Sequence, residues 1–165
     1  MDLSYVLFDT QPTGTAVFDA LLFQTAQGGD VTHTEDFTNM RGAGSLPSEE
    51  KFMLERIGIS NDPAQGAADF SKLLVASLLQ IRVNNQIVFW SPLPALLVAS
   101  KWTGYSNLTA AAGLSVTGSL QDGYTLDKPI QIDGGRKFDI RIKTTQATAV
   151  STKLVIHLFG TLSLP

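Results

Sequence analysis

The chain contains no cysteine. That excludes a disulfide framework, a thiol nucleophile and a zinc–thiolate site. Charge is scarce too: Asp, Glu, Lys and Arg make up 16% of the 165 residues, against roughly 25% in typical soluble domains. The net charge is −3, which excludes an electrostatic, basic nucleic-acid binder. With 44% hydrophobic residues and so little net charge, the composition also excludes disorder. No run of about 20 mostly apolar residues is present, so no spanning helix is expected. The longest uncharged stretches, Asn84–Ser100 and Trp102–Gln121, are broken by Pro, Gly, Asn, Ser and Thr. Met1–Tyr5 lacks a basic region followed by an apolar run, so no secretory leader is expected there. The triplet Asn107-Leu108-Thr109 is therefore discounted as a glycosylation acceptor.

What is present is a rhythm of short apolar runs between turn residues. No internal repeat and no linker divides the chain, so residues 1–165 read as one domain. Thr15–Thr25 reads as a strand after the turn cluster Gln11-Pro12-Thr13-Gly14. A long polar loop, Ala26–Ser48, follows; loops of that length in compact domains are usually functional or mobile. Glu50–Ser60 fits either period, and its Ile57-Gly58-Ile59 ending favours a strand. Asn61-Asp62-Pro63 can cap a short helical turn reaching Phe70. Leu79–Val83 alternates, Asn84-Asn85 supplies a two-residue turn, and Gln86–Trp90 returns as the second strand of a hairpin. Ser91-Pro92-Leu93-Pro94 is expected to break the ladder. Ala95–Trp102 is expected as a short strand, and Leu114–Leu120 as a weak one. Pro129–Asp133, Lys137–Lys143 and Thr152–Leu164 are strands, with Gly134-Gly135 turning between the first two and a loop at Gln146–Ser151.

The count is about eight strands with at most one or two short helical turns. That predicts an all-β protein, a single sandwich. Its long connections suit a Greek-key or jelly-roll path better than a meander.

Chemistry is harder to find. His33-x-Glu35, with Asp30 and Asp36 near, has the residue types of a metal site, but a solvated polar loop accounts for it. His157 lies opposite the Leu154, Ile156 and Leu158 row and is expected to face a second layer or another subunit. Gly113-Leu114-Ser115-Val116-Thr117 fails the nucleophile-elbow pattern at its last position. Glu49 and Glu50 are adjacent, so on a strand they diverge and make no glycosidase pair. Gly134-Gly135-Arg136-Lys137 lacks phosphate-loop spacing. Trp90, Trp102, Tyr105 and Tyr124 have the composition of a sugar-binding platform, or else they pack at the rim of the sandwich. A cupin-type enzyme would need clustered His and carboxylates, which two distant histidines do not supply.

Several segments together resemble one family. They are the hairpin LQIRVNNQIVFW (Leu79–Trp90) followed by SPLPAL, then YTLDKPIQI (Tyr124–Ile132), KFDIRI (Lys137–Ile142) and LVIHLFGTL (Leu154–Leu162). Over roughly residues 73–163 the pattern resembles the jelly-roll capsid proteins of tailless icosahedral bacteriophages, including those with an internal membrane. The resemblance implies a structural virion protein without catalysis or cofactor. It would be located in the capsid shell and assembled in the host cytoplasm. Its partners would be copies of itself and other capsid proteins in homo-oligomeric capsomers, with possible contact to an internal membrane and no specific nucleic acid. A carbohydrate- or receptor-binding sandwich is the alternative. Candidate subunit-contact or ligand-face residues are Trp90, Trp102, Tyr105, Tyr124, Met40, Arg41 and His157. The loop Ala26–Ser48 and the stretch Tyr105–Gly123 are the candidate contact segments.

Overall fold

The computed structural model describes residues 1–31, 33–61, 76–99, 123–147 and 152–165. These carry eight strands and one helix: β1 (Asp2–Thr13), β2 (Asp19–Leu22), β3 (Lys51–Asn61), β4 (Ser77–Val83), β5 (Gln86–Pro92), α1 (Leu93–Ala99), β6 (Tyr124–Asp133), β7 (Phe138–Thr144) and β8 (Thr152–Ser163). They form two four-stranded sheets, ordered β1-β8-β3-β6 and β2-β7-β4-β5, with every pairing antiparallel. Strand 1 therefore pairs with 8, 2 with 7, 3 with 6 and 4 with 5. This is a long antiparallel ribbon, folded at the β4–β5 turn and rolled so that successive pairs fall in opposite sheets. The β8–β3 and β7–β4 pairings complete the sheets. The protein is a jelly-roll β-sandwich.

The core is the set of inward residues of the two sheets. Phe52, Leu54, Ile57, Ile132, Leu154, Ile156 and Leu158 face Leu79, Ile81, Phe138, Ile140 and Ile142, all buried. Alternation puts these positions on one face of each strand. Each large side chain removed from water contributes about 1.5–3 kcal/mol. Asn84 and Asn85 have φ of 51° and 63°, so the β4–β5 turn is left-handed at both central residues, the geometry that matches strand twist.

Four local expectations change. The first strand, β1, covers Asp2–Thr13, including the residues expected as a turn. The strand expected at Thr15–Thr25 contracts to Asp19–Leu22. Pro12 is tolerated because β1 is an edge strand. For the same reason Pro92 stays in the ladder, opposite Leu78 at the outer edge of its sheet. Leu93–Ala99 is a helix where a strand was expected from Ala95. Pro94 suits its first turn, and Leu93 and Leu96, one turn apart, are both buried. The expectations at residues 62–70, 100–102, 114–120 and 148–151 lie outside the described residues.

Candidate functional surface

The sandwich has four edge strands among the described residues, and all carry some device that discourages further pairing, β5 the least: a one-residue bulge at Val88 and a terminal Pro92. Along β1 the loop after β2 lies against the edge. The Asn39 side chain accepts a hydrogen bond from the Phe8 amide at 2.8 Å and donates to the Val6 carbonyl at 2.7 Å. The Asn39 amide donates to the Phe8 carbonyl at 3.3 Å, and Thr38 forms a bridge with Asp9. β2 is only four residues long. β6 is interrupted: Leu126–Pro129 bulge between the pairs Arg56–Thr125 and Leu54–Ile130, which places Asp127, Lys128 and Pro129 in solvent. Short length, covering loops, bulges, charge and proline are the usual protections of an edge.

β5 differs. Its seven residues, QIVFWSP, contain no charge. Ile87 is 56% exposed, Val88 45% and Trp90 57%. Among the described residues β4 is its one sheet neighbour. A bulge between Ile81 and Arg82 of β4 leaves Val88 as the extra residue, opposing Arg82 to Ile87 and Gln80 to Trp90. Ile87 and Trp90 thus share the outer face, while Phe89, opposite Ile81, faces inward. The outward neighbours are polar. Arg82 donates to both Asp139 oxygens at 2.6 and 2.8 Å, and that hydrogen bonding strengthens Arg82's hold on its proton. Arg141 pairs with Asp19 in the same fashion and holds the Asp19 carboxyl below the usual range. Leu78, Gln80, Arg141 and Lys143 line a shallow depression of about 160 Å³ on this face.

The candidate residues do not form one site. Trp90 is on the outer face of its sheet, but Tyr124 packs inward, its ring 5.8 Å from Phe89. The aromatic platform is therefore split by the strand; Trp102 and Tyr105 lie outside the described residues. Met40 is fully buried and belongs to the core, which removes it from any contact surface. Its burial pins the covering loop down beside β1. Arg41 is half-exposed, with its guanidinium 2.6 Å from the buried Glu50 carboxylate. His157 is on the outer face of the other sheet. Its ring lies between Phe8 and Phe159, with centroids 6.3 and 6.1 Å away, and its Nε2 is 2.9 Å from Ser60 Oγ. Burial lowers its pKa below the ordinary 6.5. Phe159 in turn lies across Gly58, where a Cβ would meet the ring at 2.7 Å, and under Arg56, 5.2 Å from its centroid. His33 caps its own loop by contacting Asp30 at 2.8 Å. Among the described residues no three metal-capable side chains converge, and no helix is long and apolar enough to cross a membrane.

Sequence reasoning missed two features. One is the exposure of Ile87 and Val88 beside Trp90; the uncharged strand between turn signals was its trace. The other is Asp9, 3% exposed on β1. Its carboxylate accepts the amides of Thr10, at 2.9 Å, and of Phe23. Phe23 has φ of +66°, an unfavourable conformation for a large residue that this bond helps to hold. Desolvation raises the Asp9 pKa despite these donors.

No protein-family model matches the chain, and no curated protein matches its sequence. The fold by itself defines a class: a jelly-roll sandwich in which, among the described residues, β5 is the one uncharged, apolar edge.

Proposed function

We propose that the protein is a structural subunit of a virion shell, a capsid protein of the kind found in tailless icosahedral phages, which self-assembles without catalysis. The observation that carries this reading is the strand order β1-β8-β3-β6 over β2-β7-β4-β5. Jelly rolls of this type serve in viral capsids, lectins and cupins. The cupin reading is disfavoured by placement: His33 sits in the loop after β2, and His157 on the outer face of β8. A shell subunit needs a rigid core and lateral surfaces that lose little on desolvation, and charge is costly there. The uncharged, exposed β5 supplies such a surface.

The test is the mass of the purified chain across concentration, with electron microscopy of the concentrated sample. Symmetric capsomers, sheets or shells are expected; a strict monomer at every concentration overturns the reading.

A carbohydrate- or receptor-binding module is the second reading. It is favoured by one observation, the exposed Trp90 beside Gln80 at the rim of the polar depression. It requires a saturable shift of tryptophan fluorescence with oligosaccharide, abolished by Trp90→Ala.

A further inference from the structure

Resting on the shell-subunit reading, we propose that the β5 edge is a self-pairing contact: two copies of this chain join β5 to β5, antiparallel about a two-fold axis between Val88 and Phe89. The occupant is a second copy because the strand is complementary to itself. In that register Gln86 meets Ser91 of the copy, Ile87 meets Trp90, and Val88 meets Phe89. Polar pairs with polar and apolar with apolar. The faces agree at the two outer pairs, and the axis falls at the bulge, where the extra residue Val88 opposes Phe89. The bulge at Val88 puts Ile87 and Trp90 together on the outer face, while Gln86 and Ser91, opposite Val83 and Leu79, both face inward. Directly opposed residues in an antiparallel pair must share a face. Pro92, which lacks an amide hydrogen, would fall opposite Asn85 in the turn, beyond the ladder.

Charge makes the same selection. β5 has no ionisable residue, so a two-fold axis brings no like charges of this strand together. A charged foreign strand would find no counter-charge on β5 itself.

Size fixes the context. Seven residues a side is well short of the roughly 20–30 of a standard stable interface. The contact therefore works as one of several in a lattice, where repetition raises the effective concentration, rather than as a free-standing dimer in dilute solution.

The absence of native cysteine makes the register testable in the full chain. In the double variant Ile87→Cys/Trp90→Cys, oxidation of concentrated protein forms two interchain disulfides, because opposed residues lie about 4.5–5.5 Å apart, within disulfide reach. Each single variant is the control: 87 does not face 87, nor 90 face 90. We expect at least about tenfold more covalent dimer from the double variant than from either single one, the ratio that a 1.4 kcal/mol preference for one register would give. Equal cross-linking by the single variants, or none from the double variant while shells still form, overturns the β5 contact and leaves the shell reading standing.

Val88→Lys is the second arm. It puts two ammonium groups near the axis, and association measured by sedimentation weakens by about tenfold or more, with the β-sheet circular dichroism unchanged. Undiminished assembly of this variant overturns the inference. A wild-type chain that stays monomeric throughout overturns both the inference and the shell reading. A monomer that instead binds an added apolar strand peptide of unrelated sequence assigns the edge to a foreign partner and overturns self-pairing.

Discussion

The β1 and β5 edges belong to the same sandwich and meet opposite fates. β1 is hydrogen-bonded along its middle by Asn39 and Thr38, and the covering loop is anchored by the buried Met40. β5 runs seven uncharged residues with Ile87, Val88 and Trp90 in solvent. Among the described residues, a long loop closes one edge, while the other, bulged at Val88 and ended by Pro92, stays exposed, uncharged and apolar. The lesson is that open backbone in this fold is not neglect, because protection is applied where pairing would be unwanted.

The comparison can be broken hardest at Asp9. Asp9→Ala leaves the Thr10 and Phe23 amides buried without acceptors and releases the junction of β1, β2 and the covering loop. The expected loss is about 2–4 kcal/mol, measured by urea denaturation, and the β1 side should show it first as loss of amide protection near Phe8. Next comes Asn39→Ala, which removes two hydrogen bonds from the β1 edge. The expected loss is about 1–2 kcal/mol. Its sharper signature is new concentration-dependent light scattering, since the variant would uncover β1 backbone in addition to the exposed β5 strand. Val88→Lys should have the reverse profile. Monomer stability should shift by less than about 0.5 kcal/mol, as at other surface positions, while association weakens by about tenfold or more.

The smallest effect is on pH dependence. Burial disfavours the charged form of His157, so its folded pKa lies below the unfolded 6.5. As pH falls below 6.5 the unfolded chain takes up the proton first. Stability present above that value is lost as pH falls through the folded pKa. Asp9 has the opposite sign. Its raised pKa means that its contribution is greatest in acid and declines as pH climbs from 3.8 through the folded value. Urea midpoints at pH 7.5 and 5 should draw apart less in His157→Phe than in the wild-type chain. Equal separations would mean that His157 does not couple to folding.

Much of this fold was legible in sequence because alternation reports burial directly. Lys137–Lys143 read as a strand, and its Phe138, Ile140 and Ile142 are buried together; Asn84-Asn85 read as a turn and has the required positive φ. β1 was not legible. Its inward row includes a buried Asp9, which reads as a solvent residue until Thr10 and Phe23 supply its donors, and its Pro12 reads as a break until the strand proves to be an edge. α1 was mistaken because an apolar run of seven residues carries little period of its own. The candidate surface was half legible. Trp90 was singled out with Tyr124 as either a ligand platform or rim packing; the ring is exposed, and its partition from Tyr124 depends on which side of β5 each ring packs, which a one-residue bulge decides. Met40 looked like a loop residue because sequence gives no sign that a polar loop folds back on a strand edge.

The nesting of 1 with 8, 2 with 7, 3 with 6 and 4 with 5 also orders events in time. The β4–β5 hairpin closes across a two-residue turn, whereas the β1–β8 pairing joins Asp2 to Ser163, and the Met1 amino group bonds the Leu164 carbonyl at 2.8 Å. Closing such a span forfeits far more chain entropy before any contact compensates it, so topologies of this kind fold in milliseconds to seconds. The hairpin that carries the bare edge is thus the easiest piece to form, and the strand pair that seals the roll is the hardest. A nascent chain would present its sticky strand before its sandwich is closed, and the rate of β1–β8 closure, relative to encounters with other copies, sets how much of the protein is correctly assembled.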